Sequence, residues 1–311
     1  MAAVAAPASA VPAVAGRSAA EERTQHLKGT LIVFCGVLFF TPDSLTIKKV
    51  NDDDGLKTVW FRMVFYALST SFGLLVFKGH QLGCAKAPGA FLENARGVLG
   101  CKLGVAIACS HALVEVLFCV SQKATTSANV LVVLASSPLW AALLSWVLLG
   151  ERLPLRTVVT IIIGISAVVY VFVGSTLLEN DEDTSAGESS NTVLGLLGAT
   201  GASVSLAAQL VGFRYGSQVL QQPEEYFLIA LPLGALAGLP VVFAIGADPF
   251  GPGWAASDFG WAFLGGGICI PIALASMSIG TNYIPAAEVS LLMLLETIGG
   301  PLWVWCVSIA P

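Results

Sequence analysis

Long apolar stretches, separated by short polar segments, dominate the chain. A bilayer core about 30 Å thick takes about 20 mostly apolar residues as an α-helix. Nine stretches of that kind lie near residues 28–48, 57–77, 98–121, 127–149, 155–175, 192–213, 226–246, 259–281 and 285–309. They are continuously apolar rather than alternating, so they favour helices over the strands of a barrel. The pattern predicts an all-α, multi-pass membrane protein with about nine transmembrane helices.

The polar segments divide the chain. Residues 1–26 are Ala-rich and predict a disordered N-terminal tail, with an organelle-targeting peptide as the alternative because residues 1–20 lack acids. Residues 78–97 carry several basic residues and a proline, which predicts a loop. Residues 176–191 hold five acidic residues and no basic one, which favours a solvated linker between two halves over a cation-attracting mouth.

Composition narrows the class further. Of the 311 residues 56% are apolar and 11% are charged, against about 25% charged in soluble domains. A net charge of −5 offers no basic surface to nucleic acid. The cysteines form no C-x-x-C pair and the histidines are scattered, so no metal site or cofactor is predicted. Neither a Walker loop nor a G-x-S-x-G motif is present, which argues against an enzyme.

The loops carry an uneven distribution of Lys and Arg. With the N-terminus in the cytosol, nine of these residues fall in inside segments and four in outside segments. Because cytoplasmic loops carry the excess of positive residues, this predicts a cytosolic N-terminus.

Two parts of the chain, residues 126–156 and 284–311, look alike. Each has a small-residue entry, a long aliphatic run and the tripeptide Pro-Leu-Trp, at 138–140 and 301–303. A proline frees a carbonyl that, inside a membrane, needs another partner or a water-lined cavity. Matched breaks in two halves favour a transporter's binding site over a tolerated kink. The predicted helix-break and gating residues are Pro138, Trp140, Pro301 and Trp303; the tryptophans stack on a planar substrate or, alternatively, pack or face lipid.

These motifs resemble the drug/metabolite transporter superfamily, specifically the EamA-type ten-helix transporters. The signatures are SPLWAALLSWVLLGERLPLR followed by GISAVVYVFVG in the first half, and PAAEVSLLMLLETIGGPLWVW in the second. The opening helix GTLIVFCGVLFFTPDSLTIKK and Arg62 in VWFRMVFYAL are also similar to the family's, so the resemblance covers residues 28–311.

The resemblance implies two inverted five-helix repeats, at 27–175 and 192–311, whose first four helices surround a central pathway. In the first repeat a Gly-Glu turn follows Pro138 by 13 residues and ends the fourth helix. The same step in the second repeat reaches position 314, beyond the last residue, so we expect the second repeat to have four helices and to lack the peripheral last one.

Charged residues inside the apolar stretches are the first site candidates, because each costs about 2.5–3.5 kcal/mol to insert. Glu296 lies deep in the ninth stretch and matches the glutamate of the family's second-half motif. It could exchange a proton or pair with a cationic substrate, and the alternative is a structural pair with Arg62. Arg62, at a family position in the second helix, could bind a substrate carboxylate or balance Glu296.

Further polar candidates lie in the same stretches. Glu115 shares a helix face with His111 and Gln122, which predicts either a pathway lining or helix–helix hydrogen bonds. Glu288 lies near the end of a stretch, where a solvated position is favoured, and Asp43 follows a proline where an interfacial position is favoured. The neutral candidates for substrate or interhelical bonding are Asn129 and Gln209. Gly265–Gly267 and Pro271 predict a bendable eighth helix or close helix packing.

Together these observations favour a secondary transporter of small polar or amphipathic metabolites, such as amino-acid-like solutes, working by alternating access in a lipid bilayer. A proton or a counter-substrate would drive it, and a second copy of the chain is a candidate partner. The alternatives are a nucleotide-sugar or triose-phosphate type carrier of the same superfamily, and a non-transporting truncated fragment.

Overall fold

The structure, a computed structural model, describes residues 19–52, 55–150, 186–220, 227–251 and 253–309, together with the single positions 159, 166 and 170. Within those residues the chain is built of helices and no strand occurs. The predicted all-α fold is confirmed.

The helices of the first half are α1 (Ala19–Phe40), α2 (Asp43–Lys49), α3 (Leu56–Leu82), α4 (Ala87–Gly100), α5 (Lys102–Ala124), α6 (Ser127–Leu134) and α7 (Ser137–Leu149). Those of the second half are α8 (Ala186–Gln218), α9 (Ala230–Ile245), α10 (Ala256–Phe263), α11 (Ile270–Gly280), α12 (Ala286–Leu292) and α13 (Leu294–Ile309). A 3₁₀ turn, Phe227–Ile229, precedes α9, and a π-helical stretch, Leu264–Cys269, joins α10 to α11.

Seven helical segments of the described chain are long and apolar enough to cross a membrane. They are Arg23–Lys49, Leu56–Leu82, Lys102–Ala124, Asn129–Leu149, Thr192–Gln218, Phe227–Ile245 and Ala256–Gly280, and they match seven of the predicted stretches. The stretch at 155–175 lies, apart from three single positions, outside the described residues. The stretch at 285–309 is formed by the two helices α12 and α13. The chain is therefore a multi-pass integral membrane protein.

The polar segments differ from their predictions. Residues 1–18 of the predicted tail lie outside the described residues, and 19–26 form the first turns of α1. The predicted loop at 78–97 is wrong: α3 continues to Leu82, and α4 follows with a proline in its first turn, where the missing N–H has no helical partner anyway. Of the predicted linker, residues 176–185 lie outside the described part and 186–191 begin α8.

The antiparallel pair α1 and α11 sets the two sides of the bundle. Along α1 and α11, Gly29 lies against Tyr283 and Gly36 against Ser276. We call the side at which α1 begins the first side, and the opposite one the second side. The large contact between α5 and α8 is antiparallel as well and buries the centre of both helices.

Hydrogen bonds and ring contacts tie α3 and the segment before it to α10 at the second side. Lys57 donates from Nζ to the Gly251 carbonyl at 2.6 Å. The backbone N–H of Asn51 donates to Asp258 Oδ1 at 3.2 Å. Between these bonds, the Phe61 ring packs against the rings of Trp254 and Phe259, each with centroids 4.9 Å away. These contacts join α3 to α10 and to the segment before it.

Candidate substrate and coupling site

Arg62 lies at the centre of the site and is 1% exposed. It donates from Nη1 to Asp43 Oδ1 at 2.9 Å and from Nη2 to Asp43 Oδ2 at 3.0 Å, and Nη1 also reaches Thr46 Oγ1 at 3.1 Å. The partners stand on α2, which restarts after the interruption of the first span at Thr41 and Pro42. The interfacial interpretation of Asp43 is wrong, because its side chain is fully buried and paired.

Glu115 approaches the same guanidinium from α5. Its Oε2 lies 3.7 Å from Arg62 Nε, and Nε itself has no hydrogen-bond partner. Glu115 is 5% exposed, so the carboxylate is also cut off from bulk water. Antiparallel packing of α3 and α5 brings these two residues to the same depth.

Glu296 stands beside a second helix interruption. The ninth stretch breaks at Met293 into α12 and α13, and Glu296 lies in the first turn of α13 with 1% exposure. Its Oε1 is buried without a hydrogen-bond partner. The helix that carries Glu296, α13, packs on α2, which carries Asp43. Asp43, Arg62, Glu115 and Glu296 form what we call the charged cluster.

The two interrupted helices meet at a small cavity. Its volume is about 10 Å³, room for about one water molecule. It is lined from both breaks by Leu131, Leu134, Ala135, Ser137, Met293, Leu294, Glu296 and Thr297. In the first half, Pro138 opens α7 directly after the break, as its sequence context predicted. In the second half the break lies at Met293, eight residues before Pro301, and α13 runs through the proline.

Each predicted tryptophan donates a hydrogen bond to a hydroxyl at a helix interruption. Trp140 Nε1 donates to Ser136 Oγ at 3.2 Å, beside the break between α6 and α7. Trp303 Nε1 donates to Thr41 Oγ1 at 3.2 Å, where α1 ends. Ser136 also meets Ser203 of α8, with the two hydroxyl oxygens 3.0 Å apart. The tryptophans therefore brace the interruptions.

A neutral polar group adjoins the charged cluster. The rings of Tyr66 and His111 are 4.6 Å apart between centroids, and Gln209 of α8 lies beside His111. All three side chains are at most 1% exposed. Tyr66 Oη, both ring nitrogens of His111 and both amide atoms of Gln209 lack a partner with full hydrogen-bond geometry. Buried polar atoms without partners are uncommon in folded proteins, which makes this group a candidate site for water or a ligand.

An open cleft of about 450 Å³ lies towards the first side, between α3 and α11. Its lining residues are Ser69, Thr70, Gly73, Leu74, Leu228, Gly267, Ile268, Pro271, Ile272 and Ala275. The helix face that lines it continues along α3 to Tyr66 and Arg62, one and two turns further on. The cleft and the charged cluster thus share one face of α3.

The remaining candidates lie elsewhere. Glu288 is on the surface at the first side, where its Oε2 is 2.8 Å from His26 Nε2 and its side chain is 44% exposed. Asn129 lies in the first turn of α6, and its amide donates to Thr125 Oγ1 at 3.4 Å. Gln122 is fully buried and donates from Nε2 to Ser44 Oγ at 3.1 Å.

The sequence did not predict every residue of the site. Tyr66 follows Arg62 by one helical turn, so a search for polar residues on the arginine's face of α3 would have found it together with Ser69 and Thr70. Ser203 carries no such signal, because a serine in an apolar helix commonly bonds to its own backbone.

The chain resembles known proteins at the level of fold and family. One solved crystal structure matches with a TM-score of 0.59 at 18% sequence identity, over 92% of this chain and 90% of that chain. No curated protein sequence matches. The model of the EamA-like transporter family matches residues 27–173.

Residues 27–173, just under half of the chain, are thus similar to the EamA-like transporter family. This confirms the resemblance to the drug/metabolite transporter superfamily. Members of the family are transporters rather than enzymes, and the EamA-like region contains three of the four charged-cluster residues, Asp43, Arg62 and Glu115.

Proposed function

We propose that the chain is a secondary transporter that moves small solutes across a membrane by alternating access. The observation that carries the proposal is the position of Glu296, a buried carboxylate at the cavity where two interrupted helices meet. Half-helices that end near the middle of the membrane are where secondary transporters bind substrates and coupling ions. Placing a charged carboxylate at the centre of a membrane span costs about 2.5–3.5 kcal/mol. A role in binding solute or protons accounts for its presence there.

The members of the charged cluster take different roles. Asp43 and Arg62 satisfy each other through two parallel hydrogen bonds and fix α2 against α3. Glu115 and Glu296 are less completely paired. Glu115 Oε2 lies 3.7 Å from Arg62 Nε, and Glu296 Oε1 has no hydrogen-bond partner. We assign solute binding and proton exchange to these two glutamates.

Access to the site differs between the two sides. On the second side, the Lys57–Gly251 bond and the ring contacts of Phe61 hold α3 to α10 and to the segment before it, and we assign the closure of the pathway to them. The cleft between α3 and α11 opens in the half nearer the first side. This asymmetry is what one end state of an alternating-access cycle requires. With the N-terminus in the cytosol, as the loop charges favour, the cleft opens towards the cytosol.

Small polar or amphipathic solutes, including amino-acid-like ones, fit this site better than sugar nucleotides or triose phosphates do. Arg62 shares its guanidinium between Asp43 and Glu115, so a phosphate would have to displace a carboxyl group to bind it. The cleft volume of about 450 Å³ is within the range of about 300–1,000 Å³ typical of small-molecule sites.

Flux in proteoliposomes tests the proposal. The purified chain is reconstituted, and uptake of a panel of labelled amines, amino acids and sugar phosphates is measured with and without a pH gradient. We expect uptake of at least one solute, abolished by Glu296→Gln and retained in Glu288→Gln, which makes the same chemical change at the surface. No uptake across the panel, or unchanged coupled uptake in Glu296→Gln, contradicts the proposal.

A further inference from the structure

Two prolines interrupt membrane spans of the first half. Pro42 separates α1 from α2, and Pro138 opens α7 directly after α6. A proline has no N–H to donate to the carbonyl four residues before it. Pro42 therefore leaves the carbonyl of Leu38 without its helical donor. Pro138 does the same to the carbonyl of Leu134. In a membrane such a carbonyl needs another donor, and serine and threonine hydroxyls can supply it.

At the first break the donor is Thr41. Its Oγ1 donates to the Leu38 carbonyl at 2.9 Å and accepts from Trp303 Nε1 at 3.2 Å. An indole N–H only donates, so the bonds run in one direction, from the indole through the hydroxyl to the carbonyl. Gly299, one turn before Trp303, makes room for this contact, because a Cβ there would lie 2.7 Å from Thr41 Cγ2. Helix α13 of the second half thus completes a break in the first half.

At the second break the donor is Ser203 of α8. Its Oγ donates to the Leu134 carbonyl at 3.5 Å and lies 3.0 Å from Ser136 Oγ. Ser136 in turn accepts from Trp140 Nε1 at 3.2 Å. Each hydroxyl has one proton, so Ser136 donates to Ser203 and the bonds again run from an indole to the freed carbonyl. Ser203 is fully buried and belongs to the second half, so this break too is completed across the two halves.

Both chains of hydrogen bonds lie at a similar depth. The ends of α2 and α5 meet at the second side, where Lys123 Nζ donates to the Val50 carbonyl at 2.8 Å. Thr41 lies nine residues before Val50. Ser136 lies nine residues after Ser127, the first residue of α6. Nine residues correspond to about 13 Å along a helix axis. The bonds between the halves therefore lie away from the first side, towards which the cleft between α3 and α11 opens.

We propose that Thr41 and Ser203 are positioning residues of the transport cycle. Each hydroxyl holds the two halves together in the state that is open to the first side, by completing a proline break of one half with a side chain of the other. Opening to the second side separates the halves there, so both chains of bonds part and water replaces them at the two carbonyls. This inference rests on the proposed transporter function and names residues that set its conformational balance.

Two thiols report that balance without any solute. Cys119, one turn after Glu115 towards the second side, is fully buried. Gly73 lines the cleft, and a Cβ there would meet nothing within 4 Å, so Gly73→Cys places a thiol in the cleft. One version of the full chain keeps Cys119 alone, and a second carries Gly73→Cys alone, with the other cysteines replaced by alanine. The rate of alkylation by a charged maleimide is measured for each in nanodiscs.

Removing either hydroxyl should favour the state open to the second side. Thr41→Val and Ser203→Ala each delete the donor to a freed carbonyl. One hydrogen bond shifts an equilibrium by about two- to tenfold, and we expect Cys119 to be alkylated faster by that factor. The thiol of Gly73→Cys should be alkylated more slowly or at an unchanged rate. Thr41→Ser, which keeps the hydroxyl, should restore the original rates.

Two control variants delete hydroxyls that bond within an unbroken helix. Thr200 Oγ1 donates to the Leu196 carbonyl and Ser290 Oγ to the Ala286 carbonyl, each at 3.0 Å. These bonds run to the carbonyl four residues before, where no proline has removed the helical N–H. Thr200→Val and Ser290→Ala should therefore leave both rates within about twofold.

Three outcomes overturn the inference: unchanged Cys119 labelling in folded Thr41→Val and Ser203→Ala, an equal acceleration in the controls, or faster labelling of both thiols, which loss of stability alone produces. If one of the two variants does not fold, the other decides. Trp303→Phe, which removes the donor to Thr41, decides if neither folds.

The two proposals fail in different ways. Altered labelling without flux in proteoliposomes would contradict the transporter function and leave the two positioning residues as determinants of conformation. Flux without altered labelling would contradict the positioning roles and leave the transporter function standing.

Discussion

Asp43 and Arg62 form a two-pronged ion pair inside the helix bundle, with nitrogen–oxygen distances of 2.9 and 3.0 Å. Their side chains are 0% and 1% exposed, respectively. Hydrogen bonds within the pair therefore replace those that each side chain would make to water. The pair joins the restarted helix α2 to α3 and so fixes the first span where it is interrupted.

Removing one partner of this pair should destabilise the fold. Asp43→Asn leaves the Arg62 guanidinium buried without its counter-ion, and we expect the free energy of unfolding to fall by about 3–5 kcal/mol. Unfolding of the purified protein in a denaturing-detergent titration measures the change. The control is Asp248→Asn at an exposed position, expected within about 0.5 kcal/mol of the unchanged protein. Equal stability of the two variants would contradict the role of the pair.

Gly266 is expected to tolerate no side chain. A Cβ there would lie 2.6 Å from the backbone oxygen of Arg62, so Gly266→Ala must push the π-helical stretch away from α3. We expect a loss of about 1–3 kcal/mol, read from the same denaturation. At Gly260, in α10, a Cβ would meet nothing within 4 Å, and Gly260→Ala should be neutral or stabilising by up to about 1 kcal/mol. A neutral Gly266→Ala would show that this close contact is not required.

Asp258 is expected to hold the second side closed. Its carboxylate accepts hydrogen bonds from two backbone N–H groups, that of Asn51 at 3.2 Å and that of Ala255 at 2.7 Å. Asp258→Asn should weaken both, because an amide oxygen is a poorer acceptor than a carboxylate. Hydrogen–deuterium exchange should then rise in the peptides that contain residues 51 and 255. Glu93→Gln, on exposed α4, should leave that exchange unchanged; the same protection in both variants would argue against the closure.

The two tryptophan bonds allow a matched comparison. Trp303→Phe and Trp140→Phe each remove one N–H donor, to Thr41 and Ser136, and keep an aromatic ring. Each hydrogen bond is worth about 0.5–1.5 kcal/mol, and we expect losses of stability of that size together with a change in transport rate, since both bonds brace helix interruptions. A variant that loses stability but transports at the original rate would limit that tryptophan to a structural role.

Much of the fold could be predicted from the sequence, because a run of about 20 apolar residues is typical of a transmembrane helix and of few other structures. The charged cluster was partly readable for the same reason: Arg62, Glu115 and Glu296 stand out in apolar surroundings. Asp43 was misjudged because a charge after a proline near a helix end is usually interfacial, and only tertiary packing buries the restarted helix α2.

Other parts were hidden in three-dimensional packing. The break at Met293 has no proline or glycine at its position, so local propensity does not predict it; the helix before the break, α12, packs on α7. The ring contact between Tyr66 and His111 joins residues of different helices, and one sequence contains no information that pairs them. α4 was mistaken for a loop because its basic residues and proline outweighed its apolar positions.

The π-helical stretch Leu264–Cys269 has a mechanical consequence. Such a stretch stores one surplus residue within an otherwise α-helical rod, and one residue corresponds to about 100° of rotation about the axis. If the surplus moves by a turn, the helical segment it crosses turns about its own axis while the chain stays helical. Two of the three successive glycines, Gly265 and Gly266, lie against Arg62 of α3, where even a Cβ would collide, so such a turn requires the two helices to separate. The register of the eighth span is thus tied to its packing against α3.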